Sequence, residues 1–211
     1  MSIPSFDLFM MCTSLNSTAI REIPQGFHIR TCRPDELDIW KTIHFDDPET
    51  ARNYDDFMTK YFDDVYAREG NLFFDKCLFI CNEDDVPVGT CFIWKAYGSI
   101  NTLHWLKVLK AYEGKGLGRA LVSAVVKDLA VEDYPVFLHT HPSSFRAIKL
   151  YSDFGFALLS DPVIGSRNND LVECLPILQE HMPAEDYKNL RICQAPEEFL
   201  EAVGSSPINQ F

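Results

Sequence analysis

The residues best suited to chemistry lie between Ile100 and Arg119, in the run INTLHWLKVLKAYEGKGLGR. An apolar, β-rich segment ends at Leu109, a glycine-rich turn follows, and a helical pattern begins at Gly116. A strand feeding a glycine turn and then a helix N-terminus makes an anion site. The unpaired helical N–H groups point at whatever sits there, and the helix dipole favours negative charge. Gly114, Gly116 and Gly118 fall within one turn, where they permit close backbone approach and conformations denied to residues with a Cβ. The spacing GxGxG fits neither common nucleotide loop. A Walker loop needs GxxxxGK followed by Ser or Thr, and a dinucleotide fingerprint needs GxGxxG opening a parallel βαβ unit. A second pair with ligand character is His139 and His141, on one face of a short strand. An HxH pair can ligate metal. No third ligand appears at helical or strand spacing, so no metal is expected; the pair is expected to line or border a cleft, or only to pack there.

The elements that must position these residues follow from periodicity. Phe27 to Cys32 alternates as a strand, and Pro34 opens a first helix over 35–43. The segment FDDPET breaks it, and a second helix is expected from Glu49 to Arg68, with Tyr54, Met58, Tyr61, Phe62 and Val65 on one face. Asp46, Asp47 and Glu49, in the break, are placed to meet a substrate. Lys76–Cys81, Val88–Trp94 and Ile100–Leu109 read as three antiparallel strands with short turns. Leu117, Ala120, Leu121, Ala124, Val125 and Leu129 give the next helix its apolar side. The strand at 136–140 then implies a parallel, right-handed crossover. Ser143 or Ser144 is placed to cap the following helix, which stops at Gly155 before a strand at 156–159. Beyond it come a helix at 170–181 containing Pro176, a strand at NLRIC, a terminal helix at 196–203 and a tail expected to be loose. FDLFMMCT, near the N-terminus, has the composition of a strand.

Composition sets outer bounds. The 211 residues suit one sizeable domain with extensions, and the formal net charge of -12 disfavours a nucleic-acid partner while admitting a cationic substrate such as an amine. No apolar run is long enough to span a membrane, and the N-terminus lacks the basic and cleavage-site features of a signal peptide. The seven scattered cysteines form no CxxC pair and read as reduced core residues of a cytoplasmic protein.

Two stretches resemble the GCN5-related N-acetyltransferase (GNAT) family. In VLKAYEGKGLGRAL, Gly116 and Gly118 match the small positions of the family's diphosphate loop, and Gly114, Lys115 and Leu117 are of its usual type. In SFRAIKLYSDFGF, Ala147, Leu150, Tyr151, Gly155 and Phe156 match the family's helix after its fifth strand. The resemblance implies an α/β (α+β) fold, with a mixed, mostly antiparallel central sheet, helices on both faces, and strands four and five splayed for coenzyme A. It divides the chain into an N-terminal extension (1–26), an N-acetyltransferase core (27–160), and a C-terminal segment (161–211) with an inserted helix and the last strand of the same domain.

The resemblance also implies a reaction: acetyl transfer from acetyl-CoA, as cosubstrate, to a primary amine of a small molecule or peptide by direct attack in a ternary complex. Leu106, Lys107 and Val108 would pair with the pantetheine arm. Lys110, Gly114, Lys115, Gly116, Leu117, Gly118 and Arg119 would hold the diphosphate, with Ser144 and Ala147 on the helix beyond. Tyr151 matches the family's general acid for the departing thiolate. His104 is the preferred base, because it shares a strand face with Leu106 and Val108 and an imidazole titrates near neutrality; Asp46, Glu49 and a water relay are rivals. The family also admits a homodimer. Two departures weigh on turnover: Glu113 puts a carboxylate where the family has Arg or Gln, and Ser144 replaces its usual Asn. They motivate the alternative of an inactive acyl-CoA-binding sensor or interaction domain.

Overall fold

The computed structural model describes residues 3–211, so the first two residues of the expected N-terminal extension lie outside it. Strand β1 (Leu8–Cys12) is buried at every position. After β2 (His28–Thr31), a 3-10 turn at Pro34–Glu36 leads into α1 (Leu37–Ile43). The single helix expected over 49–68 is two, α2 (Pro48–Asn53) and α3 (Asp55–Val65), because Tyr54 leaves helical geometry at φ -102, ψ 3. Asp47 caps α2, its carboxylate accepting from the Thr50 N–H at 2.8 Å. A short α4 (Leu72–Lys76) follows, which the sequence reading did not expect. Then β3 (Leu78–Cys81), β4 (Pro87–Ala96) and β5 (Ile100–Val108) form where the alternation places them. So do α5 (Leu117–Val126), β6 (Val136–Thr140), α6 (Phe145–Phe154) and β7 (Ala157–Leu159). A two-residue hairpin, β8 (Val163–Ile164) and β9 (Arg167–Asn168), precedes α7 (Leu171–His181) and α8 (Ala184–Lys188). The chain closes with β10 (Ile192–Cys193) and α9 (Glu197–Gly204).

These elements make two compact units interleaved along the chain, and the units do not follow boundaries at 26 and 160. The first comprises the chain up to Ala19, Lys95–Thr102 and Leu129–Phe211. Its strand order is β10-β7-β1-β6-β5. Strand β1 is antiparallel to both β6 and β7, so residues 8–12 of the expected extension lie in mid-sheet. Their sequence, LFMMC, is apolar on both faces, as a strand covered on both sides requires. The strand expected at NLRIC is β10, parallel to β7. β6 runs parallel to the start of β5, with Asn101 opposite Val136 and Thr102 opposite Phe137. Below the sheet, Phe137 stacks on Phe199 of α9 at 3.8 Å between ring centroids, within a cluster that includes Phe9, Met11 and Leu159. The tail is not loose: Phe211 packs edge-on against Phe9, and Gln210 Oε1 accepts from the Tyr97 N–H at 2.7 Å.

In this unit α6 ends on Gly155 at φ 107, a conformation that L side chains rarely adopt. An added Cβ would meet the Ser14 carbonyl oxygen at 2.7 Å. Gly155→Ala is therefore expected to cost at least about 1–3 kcal/mol, read as a lower denaturation midpoint at unchanged m-value. A midpoint equal to the parent's would refute this account of the helix stop.

The second unit comprises Ile20–Trp94 and Leu103–Asp128, with strand order β5-β4-β3-β2. β3 is antiparallel to β2 and to β4. Its core is aromatic: Trp40, Tyr66, Phe73 and Phe92 are fully buried. Of the stripe expected on the second helix, Met58 and Val65 are buried, whereas Tyr54 is 49% exposed and stacks on Phe45. All seven cysteines are free thiols, six of them buried. No helix among the described residues is long and apolar enough to cross a membrane.

Candidate active site

In the second unit, β5 does not keep the strict alternation that would put His104, Leu106 and Val108 on one face. Trp105 sits at φ 53 in mid-strand, a left-handed conformation that is costly for an aromatic residue and marks a local break in the pleat. His104, on the inner side of the break, is 3% exposed. Its Nδ1 lies 2.6 Å from Tyr66 Oη, and the Trp105 Nε1–H donates to the same oxygen at 2.9 Å. Tyr66 Oη thus accepts from Trp105 while it shares a short hydrogen bond with His104 Nδ1. Burial pushes the His104 pKa down to about 3. Burial thus opposes the titration near neutrality expected of a catalytic base. His104 is a neutral member of a buried Trp105–Tyr66–His104 chain that sets the shape of β5. Tyr66 and Trp105 escaped the sequence reading because nothing in their spacing links them to His104.

Beyond the break, Leu106, Lys107 and Val108 are partly buried. The Lys107 ammonium donates to Asp46 Oδ2 at 2.9 Å, and the Lys110 backbone N–H lies 3.3 Å from Asp46 Oδ1. Asp46 thus ties the helix break to the end of β5. A 3-10 turn at Lys110–Tyr112 then leads to Glu113 and the glycine loop. Gly114 and Gly116 take φ 77 and φ 81. Cβ atoms there would meet nothing within 4 Å and only Pro24 at 3.7 Å, respectively, so backbone conformation requires the glycines, not crowding. Gly116 is the N-cap of α5 and has no side-chain cap. The N–H groups of Leu117, Gly118 and Arg119 form the first turn of that helix, where an anion would complete the hydrogen bonding. Lys110, Glu113 and Lys115 are exposed around the loop. From the end of α1 to the start of α3, Thr42, Phe45, Asp46, Asp47, Pro48, Ala51, Arg52 and Asp55 line an open cleft of ≈ 590 Å³. The sequence marked Asp46 and Asp47; Asp55 joins them from the start of α3.

In the first unit, Ser144, Ala147 and Tyr151 follow at spacings of three and four, which puts them on one face of α6. Tyr151 is 5% exposed, with its ring 5.9 Å from that of Phe156. Ser144 occupies the N-cap position but makes no side-chain cap bond, contrary to the capping expectation. His139 Nε2 lies 2.8 Å from Asp7 Oδ1, so the histidine pair has a carboxylate neighbour that the local spacing did not disclose.

A left-handed glycine turn thus joins β5 to α5, and a tyrosine-bearing helix follows β6 in the chain of this α/β protein. The family model described as the Acetyltransferase (GNAT) family matches residues 37–156, more than half of the chain, and the chain belongs to that family. A mycothiol acetyltransferase of Kineococcus radiotolerans is 34% identical over 97 residues, 45% of this chain and 31% of the relative. A GNAT-family acetyltransferase structure from Colwellia psychrerythraea is similar at TM-score 0.50 and 14% identity, over 75% of this chain and 54% of that one. A GCN5-related N-acetyltransferase from Sphaerobacter thermophilus aligns at TM-score 0.43 and 19% identity, over 65% and 43%. The chain thus spans about a third of the curated relative's length and about half of each of these structures'.

Proposed function

We propose that the protein transfers the acetyl group of acetyl-CoA to a primary amine of a small molecule or peptide, by direct attack in a ternary complex. The observation that carries this reading is the glycine loop: Gly114 and Gly116 left-handed, Gly116 capping α5 with no side chain of its own. In this reading the N–H groups of Leu117, Gly118 and Arg119 take the coenzyme A diphosphate, with Lys110, Lys115 and Arg119 adding charge. Leu106, Lys107 and Val108 meet the pantetheine arm, and Ser144 and Ala147 face the cofactor from α6. Tyr151 donates the proton to the departing thiolate. His104 holds Tyr66 and Trp105 in place, and the proton of the attacking amine passes to water or to a carboxylate of the Asp46 cleft. Three carboxylates (Asp46, Asp47 and Asp55) against one cation (Arg52) line that cleft, and a cationic acceptor would compete with Lys107 for Asp46.

Isothermal titration with acetyl-CoA tests the reading directly, and absence of binding at near-millimolar ligand would sink it. Glu113 is exposed beside the loop, and in this reading its negative charge opposes the diphosphate. Glu113→Gln is expected to tighten acetyl-CoA about two- to fivefold, as suits an exposed charge. The same Glu113 favours the second reading, a coenzyme-binding domain without turnover. Thiol release with polyamines, aminoglycosides and peptide N-termini separates the two: binding with no release across the panel selects the second.

A further inference from the structure

We propose that Asp7, His139 and His141 form a three-ligand site for a divalent cation of the zinc class. His139 lies near the end of β6, His141 directly follows that strand, and the carboxylate comes from the residue before β1. The antiparallel register pairs Leu8 with Thr140 and Phe9 with His139, so the chain direction brings Asp7 to the same sheet end as His141. Asp7 Oδ1 lies 2.8 Å from His139 Nε2 and 3.7 Å from His141 Nδ1. The two imidazoles stand nearly perpendicular, 4.8 Å between centroids. One ligand atom from each residue lies within 4.8 Å of the others. Ligands on a tetrahedral zinc, at bond lengths near 2.0–2.2 Å, stand about 3.4 Å apart. A cation therefore needs the Asp7–His139 contact to open slightly and His141 to turn its Nδ1 from the Phe6 carbonyl, now 2.9 Å away. Three protein ligands leave a fourth position open.

The surroundings hold the carboxylate in place. The Asp7 N–H donates to Asp170 Oδ2 at 3.0 Å, and the Asp170 N–H donates to the Asp7 carbonyl at 2.8 Å, which pins Asp7 to the start of α7. The His139 ring packs on Phe9 at 4.9 Å. His139 Nε2 and Asp7 Oδ1 share a proton across 2.8 Å, and a cation would take that proton's place. Neutral imidazole and ionised carboxylate are the forms that ligate. Arg167 opposes the cation: its field reaches both Asp7 and His139, although its Nη2 is turned to the Phe211 carbonyl. The other cluster of ligand-type groups, His28, Cys81 and Asp85, lacks this character. There Asp85 already accepts from Arg30, Arg33 and His28, so two guanidiniums occupy the carboxylate a cation would need. This proposal stands independently of the acetyl-transfer reading.

The test uses the full chain, stripped with chelator under reducing conditions and titrated with Co²⁺ and then Zn²⁺. Saturable binding of one Co²⁺ per chain is expected, with the weak visible bands of a nitrogen–oxygen ligand set and displacement by Zn²⁺. The thermal midpoint should rise with zinc concentration. Asp7→Asn and His141→Asn should each weaken binding at least about tenfold, whereas Arg167→Gln should tighten it. The His141 side chain is 40% exposed, so His141→Asn should keep the parent's midpoint in chelator and decides the matter even if Asp7→Asn unfolds. No saturable binding, binding unchanged in His141→Asn, or the intense near-ultraviolet absorption of a thiolate–cobalt site would each overturn the proposal.

Discussion

Stability is expected to fall steeply as pH drops from about 6.5 towards 4, above the range in which ordinary carboxylates titrate. His104 and His44 are the cause. Burial alone lowers His104 from 6.5 to about 3. Burial, with Lys107 nearby, lowers His44 to about 3 as well. The His44 ring lies against Trp105 at 4.5 Å, and its Nε2 is buried with no hydrogen-bond partner. Above pH 6.5 both histidines are neutral in the folded and unfolded chain and contribute no pH dependence. Between 6.5 and 3 the unfolded chain binds their protons and the folded chain does not. Unfolding then becomes easier by about 1.4 kcal/mol per pH unit for each group. Two such groups remove several kcal/mol over two pH units, a large part of the stability of a typical domain. His139, lowered to about 4, acts in the same direction. Glu36 and Asp85, whose pKa values are depressed by Arg30 and Arg33, act in a separate window below their unfolded values of 4.5 and 3.8.

Denaturant unfolding measured from pH 7.5 to 4 reads the slope directly. His104→Gln keeps a polar partner for Tyr66 and removes one titrating group, so the slope should lose about one proton equivalent. An unchanged slope would show that His104 takes up its proton in the folded state, and would reopen its candidacy as the base. The titration therefore bears on mechanism as well as stability, because one buried imidazole cannot both resist protonation to about 3 and collect the amine proton near neutrality.

What the sequence disclosed, and what it did not, follows from the range of the interactions. The glycine loop was legible because its conformation is local: positive φ at Gly114 and Gly116 needs glycine whatever surrounds it. The helix stop at Gly155 and the amphipathic face of α5 are local for the same reason. Strand β1 was legible as a strand by composition, but its place between β6 and β7 depends on partners 124 or more residues away in the chain (Cys12 opposite Val136 is the nearest such pair). The same distance hid Asp7 from the histidine pair. Tyr66 was hidden differently. On sequence it belongs to the aromatic content of a helix end, and only its placement beneath β5 gives its hydroxyl to both Trp105 and His104. The break at Trp105 has no sequence mark, because aromatic residues favour regular strands. That break is why a period-of-two argument for His104 fails.

Replacing Tyr151 by Phe is expected to lower kcat for acetyl transfer about 10²–10⁴-fold, the contribution usual for a positioned general acid. Phe keeps the ring and its volume in a site that is 5% exposed, so the change removes only the hydroxyl, at a stability cost of about 1 kcal/mol. Ile148 and Phe154 of the same helix are fully buried and hold α6 in its unit whatever occupies position 151. Acetyl-CoA affinity should therefore stay within about twofold of the parent's, since an interaction made only in the transition state moves kcat and kcat/KM together. A second readout separates chemistry from packing. A phenol acid must be protonated to act, so the parent's kcat should decline at alkaline pH, and that limb should vanish in the variant. Two controls complete the design. Tyr66→Phe deletes a hydroxyl of the same kind from the buried chain on β5, and should lower stability without abolishing the alkaline limb. Ser144→Asn restores the family's residue on the same face of α6, and should leave the pH profile unchanged. Undiminished turnover in Tyr151→Phe would remove the tyrosine from proton transfer and leave the thiolate to take its proton from water.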